Sequence, residues 1–126
     1  MRILIVDDSA MMRALIRRVI KLTELPVDEV VEAADGAEAL RILETGPVDL
    51  LLTDVNMPGM NGVELLREIS RQARWPNLVR VIISTDGSAS RREEAAELDV
   101  QCYLEKPFTP EVLRNVLSQA AGSLHS

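Results

Sequence analysis

Cysteine and histidine are almost absent from this chain of 126 residues. Cys102 is the only cysteine, so neither an intrachain disulfide nor a cysteine metal cluster can form. His125 is the only histidine, and it lies in a small, polar segment at the chain end, which we expect to fray. We therefore do not expect a catalytic histidine.

Long hydrophobic runs and excess basic charge are also missing. No apolar run approaches the roughly 18 residues of a membrane-spanning helix, and the first apolar segment ends at Asp7, too soon for a signal peptide. The 20 acidic residues outnumber the 14 basic ones and give a formal net charge of −6. This balance disfavours a nucleic-acid surface and favours solubility. We expect a cytoplasmic protein without membrane insertion or nucleic-acid contacts.

Short apolar runs alternate with segments of helical periodicity along the chain. Buried strands are predicted at residues 3–6, 27–33, 50–52, 79–84 and 102–104. Helices are predicted at residues 10–22, 37–44, 63–70 and 88–98, and a fifth begins at 109–110. This alternation indicates a parallel sheet covered on both faces, with right-handed crossovers. The length predicts one domain at residues 1–121 and a flexible tail at 122–126.

Acidic side chains follow two of the predicted strands. Asp7 and Asp8 come directly after the first strand, and Asp54 follows the third, before a loop rich in proline and glycine. Ligands of open α/β sheets collect at the carboxyl ends of the strands. Aspartate often begins a turn, but turn formation alone does not account for three carboxylates at two strand ends. We expect a functional site at this edge of the sheet.

Four motifs, in order and at matching spacings, resemble the receiver domains of two-component response regulators. They are Val6-Asp7-Asp8-Ser9, residues 54–62, Ile82-Ile83-Ser84 and Tyr103-Leu104-Glu105-Lys106-Pro107. Each motif alone is weak, but together they extend the resemblance over about residues 2–119. The resemblance implies a flavodoxin-like, doubly wound α/β fold, with a five-stranded parallel sheet in the order 2-1-3-4-5.

The resemblance also implies a phosphorylation reaction at Asp54. This residue would take a phosphoryl group from a histidine kinase or phosphotransfer protein and form an acyl phosphate. Asp7, Asp8 and Asp54, with the backbone carbonyl of Asn56, would hold Mg²⁺. The physics agrees, because converging carboxylates repel one another and a hard, oxygen-seeking cation neutralises them.

Three other residues have roles implied by the family. Lys106 would stabilise charge on the transferring oxygens, and the Ser84 hydroxyl would donate to a phosphoryl oxygen. The family holds the Lys106-Pro107 bond in cis. Tyr103 stands where the family has an aromatic switch that turns inward on phosphorylation, whereas the sequence alone equally allows a half-buried residue on an edge strand.

Three residues near the site bear on how long the phosphoryl group would last. Thr85 stands where the family often has alanine, so the space beside the phosphoryl group is expected to be tighter. Asp86, two residues after Ser84, could orient or repel the hydrolytic water. Together with Asn56, these residues leave the lifetime of the signal open.

The family resemblance predicts a stand-alone receiver that is not an enzyme beyond its own phosphorylation and dephosphorylation. Its output would pass to a protein target through the fourth helix, fifth strand and fifth helix, and the chemotaxis type is favoured. A phosphorelay intermediate and a receiver from a longer regulator stay open. A docking module without phosphorylation and a small Mg²⁺-dependent phosphohydrolase are the alternatives. A haloacid dehalogenase-type phosphatase would have an acid two residues after its nucleophile, where this chain has Asn56.

Two helices carry further expectations. In the predicted helix 88–98, Leu98 is the only large apolar residue, so this helix should be of low stability and should move with Ser84 and Tyr103. The first helix carries a cluster of basic side chains at Arg13, Arg17, Arg18 and Lys21. We interpret that cluster as a solvated face rather than a docking patch for an acidic partner.

Overall fold

The computed structural model describes residues 1–122 and contains a parallel sheet of five strands in the order β2-β1-β3-β4-β5. The strands are β1 (Arg2–Val6), β2 (Glu29–Ala33), β3 (Leu50–Thr53), β4 (Val79–Ser84) and β5 (Cys102–Glu105). The helices are α1 (Ala10–Lys21), α2 (Gly36–Thr45), α3 (Gly62–Gln72), α4 (Ala89–Glu97) and α5 (Pro110–Gly122). The predicted doubly wound α/β fold and its strand order are confirmed.

The sheet separates two hydrophobic cores, because successive strand residues point to opposite faces. On β1, Ile3 and Ile5 belong to the core beneath α1 and α5. Leu4 and Val6 belong to the core beneath α2, α3 and α4. The central strands β3 and β4 are buried at every residue, so their carboxyl ends are held rigidly.

Element boundaries differ from the prediction most clearly at β2. The sequence places its start at residue 27, whereas the strand begins at Glu29. The Val27 N–H donates to the Leu25 carbonyl in a turn after Pro26, so residue 27 lies outside the ladder. Helix starts are better predicted, because the Ser9 side chain caps α1 by accepting from the Met12 N–H, as expected.

The fourth helix is anchored by few buried side chains. Within α4, Ala95 is the buried residue, and Leu98 lies just beyond the helix as its C-cap. Ser88, predicted as the first helical residue, is the N-cap and accepts from the Arg91 N–H. The weak apolar anchoring expected from the sequence is therefore present.

The described part of the chain ends with the last residue of α5. Gly122, predicted as the start of the tail, is the last residue of α5. Residues 123–126, including His125, lie outside the described residues. Among residues 1–122 we find no helix with the length and apolar character needed to span a bilayer.

Candidate functional site

The carboxyl ends of β1 and β3 bring three carboxylates together. Val6 pairs with Thr53 in the parallel ladder, so Asp7 and Asp54 follow at the same level of the sheet. One oxygen from each of Asp7, Asp8 and Asp54 lies within 4.8 Å of the others. Asp7 and Asp54 are buried, whereas Asp8 is exposed. This cluster of oxygens suits a hard divalent cation such as Mg²⁺.

Lys106 joins the cluster from β5, on the far side of β4. Its Nζ lies 3.1 Å from Asp7 Oδ2 and 3.3 Å from Asp54 Oδ2. The Lys106 backbone N–H donates to the Ser84 carbonyl over 2.7 Å, and the Lys106-Pro107 bond is cis. The ammonium group therefore bridges two of the three carboxylates.

Charge and burial act in opposite directions within this group. Burial raises the pKa of Asp54, and the neighbouring Asp7 charge adds to the rise, although Lys106 opposes it. Burial would lower the pKa of Lys106, but hydrogen bonding and charge from Asp7 and Asp54 outweigh it and raise that pKa. Lys106 thus stays charged. Lys106 does not fully offset the burial of Asp54 and the charge of Asp7, so a further cation would stabilise the ionised form of Asp54.

The backbone around Asp54 is tightly fixed. The Val55 N–H donates to Asp54 Oδ1 over 2.7 Å, and the Thr53 hydroxyl donates to the Asp54 carbonyl over 2.8 Å. At Gly62, the first residue of α3, a Cβ would lie 2.0 Å from the Asp54 carbonyl oxygen. Only glycine permits this approach, so the start of α3 packs directly on the Asp54 backbone.

Ser84 and Tyr103 meet through Asp86. The buried Ser84 Oγ accepts from the Asp86 N–H over 3.1 Å, and the Tyr103 hydroxyl donates to the Asp86 carbonyl. The Asp86 carboxylate accepts from the Ser88 N–H over 3.0 Å and lies 3.5 Å from Arg91. Its contacts in the described structure are therefore with the start of α4 rather than with the carboxylate cluster.

Two other residues proposed to affect the phosphoryl lifetime are at the surface. Asn56 and Thr85 are both exposed, each following a strand end of the site: Asn56 comes after β3 and Thr85 directly after β4. Neither side chain forms a hydrogen bond with another residue in the described range 1–122. Solvent therefore reaches both side chains.

The sequence interpretation missed Arg13 as part of the site. Arg13 Nη1 donates to the Asp7 carbonyl over 2.6 Å, and its Nε donates to Glu32 over 2.9 Å. Arg17 also binds Glu32, so two members of the expected solvated face are ion-paired to β2. The position of Arg13 in the sequence could have indicated this contact. A side chain one turn into a helix points back toward the preceding loop, which here contains Asp7 and Asp8.

Comparison with known proteins gives the family. Residues 3–118 match the response regulator receiver domain. A chemotaxis protein CheY homolog of Campylobacter jejuni is 37% identical over 124 residues, covering 98% of this chain and 94% of the relative. Chemotaxis protein CheY of Pseudomonas aeruginosa is 38% identical over 119 residues, covering 94% of each. The structure of CheY4 of Vibrio cholerae superposes with a TM-score of 0.84 at 30% identity, covering 94% of this chain and 97% of that one.

This chain belongs to the response regulator receiver domain family. The relatives from Campylobacter jejuni and Pseudomonas aeruginosa are chemotaxis proteins of the CheY type. The resemblance inferred from the four motifs is confirmed, and the acidic cluster fits the position of a receiver phosphorylation site.

Proposed function

We propose that this protein is a phosphorylation switch of chemotaxis, which accepts a phosphoryl group on Asp54 from a histidine kinase or phosphotransfer protein. The observation that carries the proposal is the Lys106 ammonium, 3.3 Å from Asp54 Oδ2 within a cluster of three carboxylates. The chemotaxis assignment rests on the names of the relatives from Campylobacter jejuni and Pseudomonas aeruginosa.

The reaction uses one carboxylate oxygen of Asp54 as the nucleophile. This oxygen forms a bond to the phosphorus of the phosphohistidine as the phosphorus–nitrogen bond breaks. The bonding pair stays on the imidazole nitrogen, which takes a proton from solvent, and Asp54 becomes an acyl phosphate. Val55 orients the carboxylate beforehand through its N–H bond to Oδ1.

Positive charge around the transferring group lowers the barrier. Lys106 is kept protonated by Asp7 and Asp54, so its ammonium can follow the charge that develops on the phosphoryl oxygens. Asp7, Asp8 and Asp54, with the Asn56 carbonyl, would hold Mg²⁺, which when bound supplies further charge neutralisation.

Switching would begin at Ser84, whose hydroxyl donates to a phosphoryl oxygen. The Ser84 hydroxyl already accepts from the Asp86 N–H, so movement of Ser84 toward a phosphoryl oxygen would be transmitted to the Asp86 backbone. Tyr103 shares Asp86 as a partner, so both switch residues act on the segment that leads into α4. We place the output surface on α4, β5 and α5, because α4 has the little buried anchoring that movement requires.

Dephosphorylation would be controlled by residues at the strand ends. Asn56 and Thr85 are exposed and can contact an incoming water, whereas the Asp86 carboxylate contacts Ser88 and Arg91 at the start of α4. The protein would catalyse its own phosphorylation and dephosphorylation and no turnover of other substrates.

The test is to incubate the protein with Mg²⁺ and acetyl phosphate and to measure its intact mass. Wild type should gain one phosphoryl group, and Asp54→Asn should gain none. Amide spectra with beryllofluoride, a phosphoryl mimic, should shift at Ser84, Tyr103 and α4. No mass gain and no response to beryllofluoride would favour a docking module, and steady hydrolysis of phosphoesters would favour a phosphohydrolase.

A further inference from the structure

The peptide group that joins Asp7 to Asp8 is held by a side chain of α1. Arg13 Nη1 donates to the Asp7 carbonyl oxygen over 2.6 Å. This oxygen belongs to a planar unit that also contains the Asp8 nitrogen and ends at the Asp8 Cα. Fixing the carbonyl therefore fixes where the Asp8 Cα lies, and this limits the positions that the Asp8 carboxylate can take.

Asp8 depends on its backbone more than the other two acids of the cluster. Asp7 Oδ1 accepts from the Ser9 N–H over 2.9 Å, and both Asp7 and Asp54 bind Lys106. Within residues 1–122, no donor bonds to the Asp8 carboxylate, which is exposed. Its position therefore depends on the backbone on either side of it, and Arg13 holds the peptide group that precedes it.

Arg13 is itself anchored to the sheet. Its Nε donates to Glu32 Oε1 over 2.9 Å, and its side chain is only 18% exposed. Glu32 lies on β2, paired with Ile5 of β1, so the guanidinium links the Asp7–Asp8 turn to a rigid strand. A planar guanidinium can make both bonds at once because its donors point in fixed directions.

We propose that Arg13 is a positioning residue for the cation site, which holds the Asp7–Asp8 peptide so that Asp8 can serve as a ligand. This role rests on the proposed function, because it assumes that the three carboxylates bind Mg²⁺. Residues that orient metal ligands typically contribute about 10–100-fold to metal affinity.

The test compares two arginines that share one partner. Arg13→Gln removes the bonds to both Asp7 and Glu32. Arg17→Gln removes bonds to Glu32 and to the Val30 carbonyl but has no contact with Asp7. In calorimetric titrations with Mg²⁺, Arg13→Gln should bind about tenfold more weakly than wild type, and Arg17→Gln should bind like wild type.

A second measurement separates positioning from general destabilisation. Because Arg13 acts through the cation site, excess Mg²⁺ should restore the rate at which Arg13→Gln is phosphorylated by acetyl phosphate. Unfolding in Mg²⁺-free buffer should be similar for the two variants. If Arg13→Gln does not fold, the same comparison can be made between Arg13→Lys and Arg17→Lys. A lysine ammonium lacks the planar set of donors with which Arg13 bonds to both the Asp7 carbonyl and Glu32.

Two results would overturn the role. Mg²⁺ affinity in Arg13→Gln equal to wild type, or an equal loss in Arg17→Gln, would show that Arg13 has no specific effect on the site. A wild-type protein that binds no Mg²⁺ would overturn the proposed function together with this role, so the two failures are distinguishable.

Discussion

The Tyr103 hydroxyl donates a hydrogen bond to the backbone carbonyl of Asp86, whose N–H donates to the Ser84 hydroxyl. One residue therefore links the two proposed switch side chains through its main chain. The guanidinium of Arg92 on α4 lies over the Tyr103 ring, 4.6 Å from its centre. A change at Ser84 can thus reach Tyr103 and α4 without crossing the hydrophobic core.

Tyr103→Phe should loosen the segment between β4 and α4. The ring and its contact with Arg92 remain, but the bond to Asp86 is lost, at a cost of about 1 kcal/mol in the free energy of unfolding. Hydrogen exchange should become faster at the Asp86 and Ser88 amides and stay unchanged in α1. Unchanged exchange at these two amides would contradict the link.

Lys106→Met should destabilise the protein in Mg²⁺-free buffer. Removing one partner of a buried charge pair costs roughly 3 kcal/mol, and here Asp7 and Asp54 would both lose their cation. The loss should shrink at acid pH, because the pKa of Asp54 is already raised and protonation relieves the repulsion. Urea unfolding at neutral and acid pH tests this, with the exposed Lys21→Met as the control. Equal losses at both pH values would be the contrary outcome.

Glu32→Gln should show a pH-dependent loss of stability. Hydrogen bonding from Arg17, against an opposing burial effect and with help from Arg13, lowers the pKa of Glu32 below its ordinary 4.5. A lowered carboxylate pKa stabilises the fold above pH 4.5, and this contribution disappears as the pH falls through the folded-state value. We expect a cost of about 1 kcal/mol at pH 7 that vanishes in acid.

The measurement for Glu32 is thermal unfolding across pH for the variant and wild type. Glu29→Gln is the matched control, because Glu29 also lies on β2 and pairs with an arginine but is 58% exposed. Its effect at pH 7 should be smaller. A Glu32→Gln deficit that persists unchanged in acid would show that the side chain stabilises the fold by packing rather than charge.

Gly62→Ala should disturb the carboxylate cluster at Asp54. The new Cβ would lie 2.0 Å from the Asp54 carbonyl oxygen, and backbone cannot move aside as a flexible side chain can. We expect roughly 2 kcal/mol or more of destabilisation and slower phosphorylation. Gly122→Ala, where nothing lies within 4 Å, should match wild type in unfolding and phosphorylation assays. A Gly62→Ala variant that is phosphorylated at the wild-type rate would show that the contact between Gly62 and the Asp54 backbone does not control the site.

The sequence predicts the carboxylate cluster well, because strand ends of a parallel sheet share one edge. Asp7 and Asp54 follow neighbouring strands, so their proximity depends only on strand order. Arg13 was missed because its partner Glu32 lies on another strand, and a basic helix face looks solvated in isolation. Such pairings depend on side-chain reach across elements, which periodicity does not encode.

Arg80 is a second position that the sequence pattern does not explain. It occupies the second residue of β4 and is only 6% exposed. Its guanidinium donates to the carbonyls of Leu98 and Trp75, which lie beyond α4 and before β4. Burial of this charge is compensated by those two carbonyls and by the Asp99 carboxylate, 3.6 Å away, so a strand pattern could not reveal it.

Lys106, the positively charged residue of the cluster, is far in sequence from the carboxylates that it neutralises. Lys106 lies 99 residues after Asp7 and follows the last strand. Because a chain is synthesised from its amino end, the three carboxylates emerge well before their ammonium partner. A partly folded chain without β5 would hold Asp7 and Asp54 together with no counter-charge, and their repulsion would destabilise it. The carboxylate cluster therefore favours the complete domain, which supplies Lys106, over amino-terminal fragments that lack it.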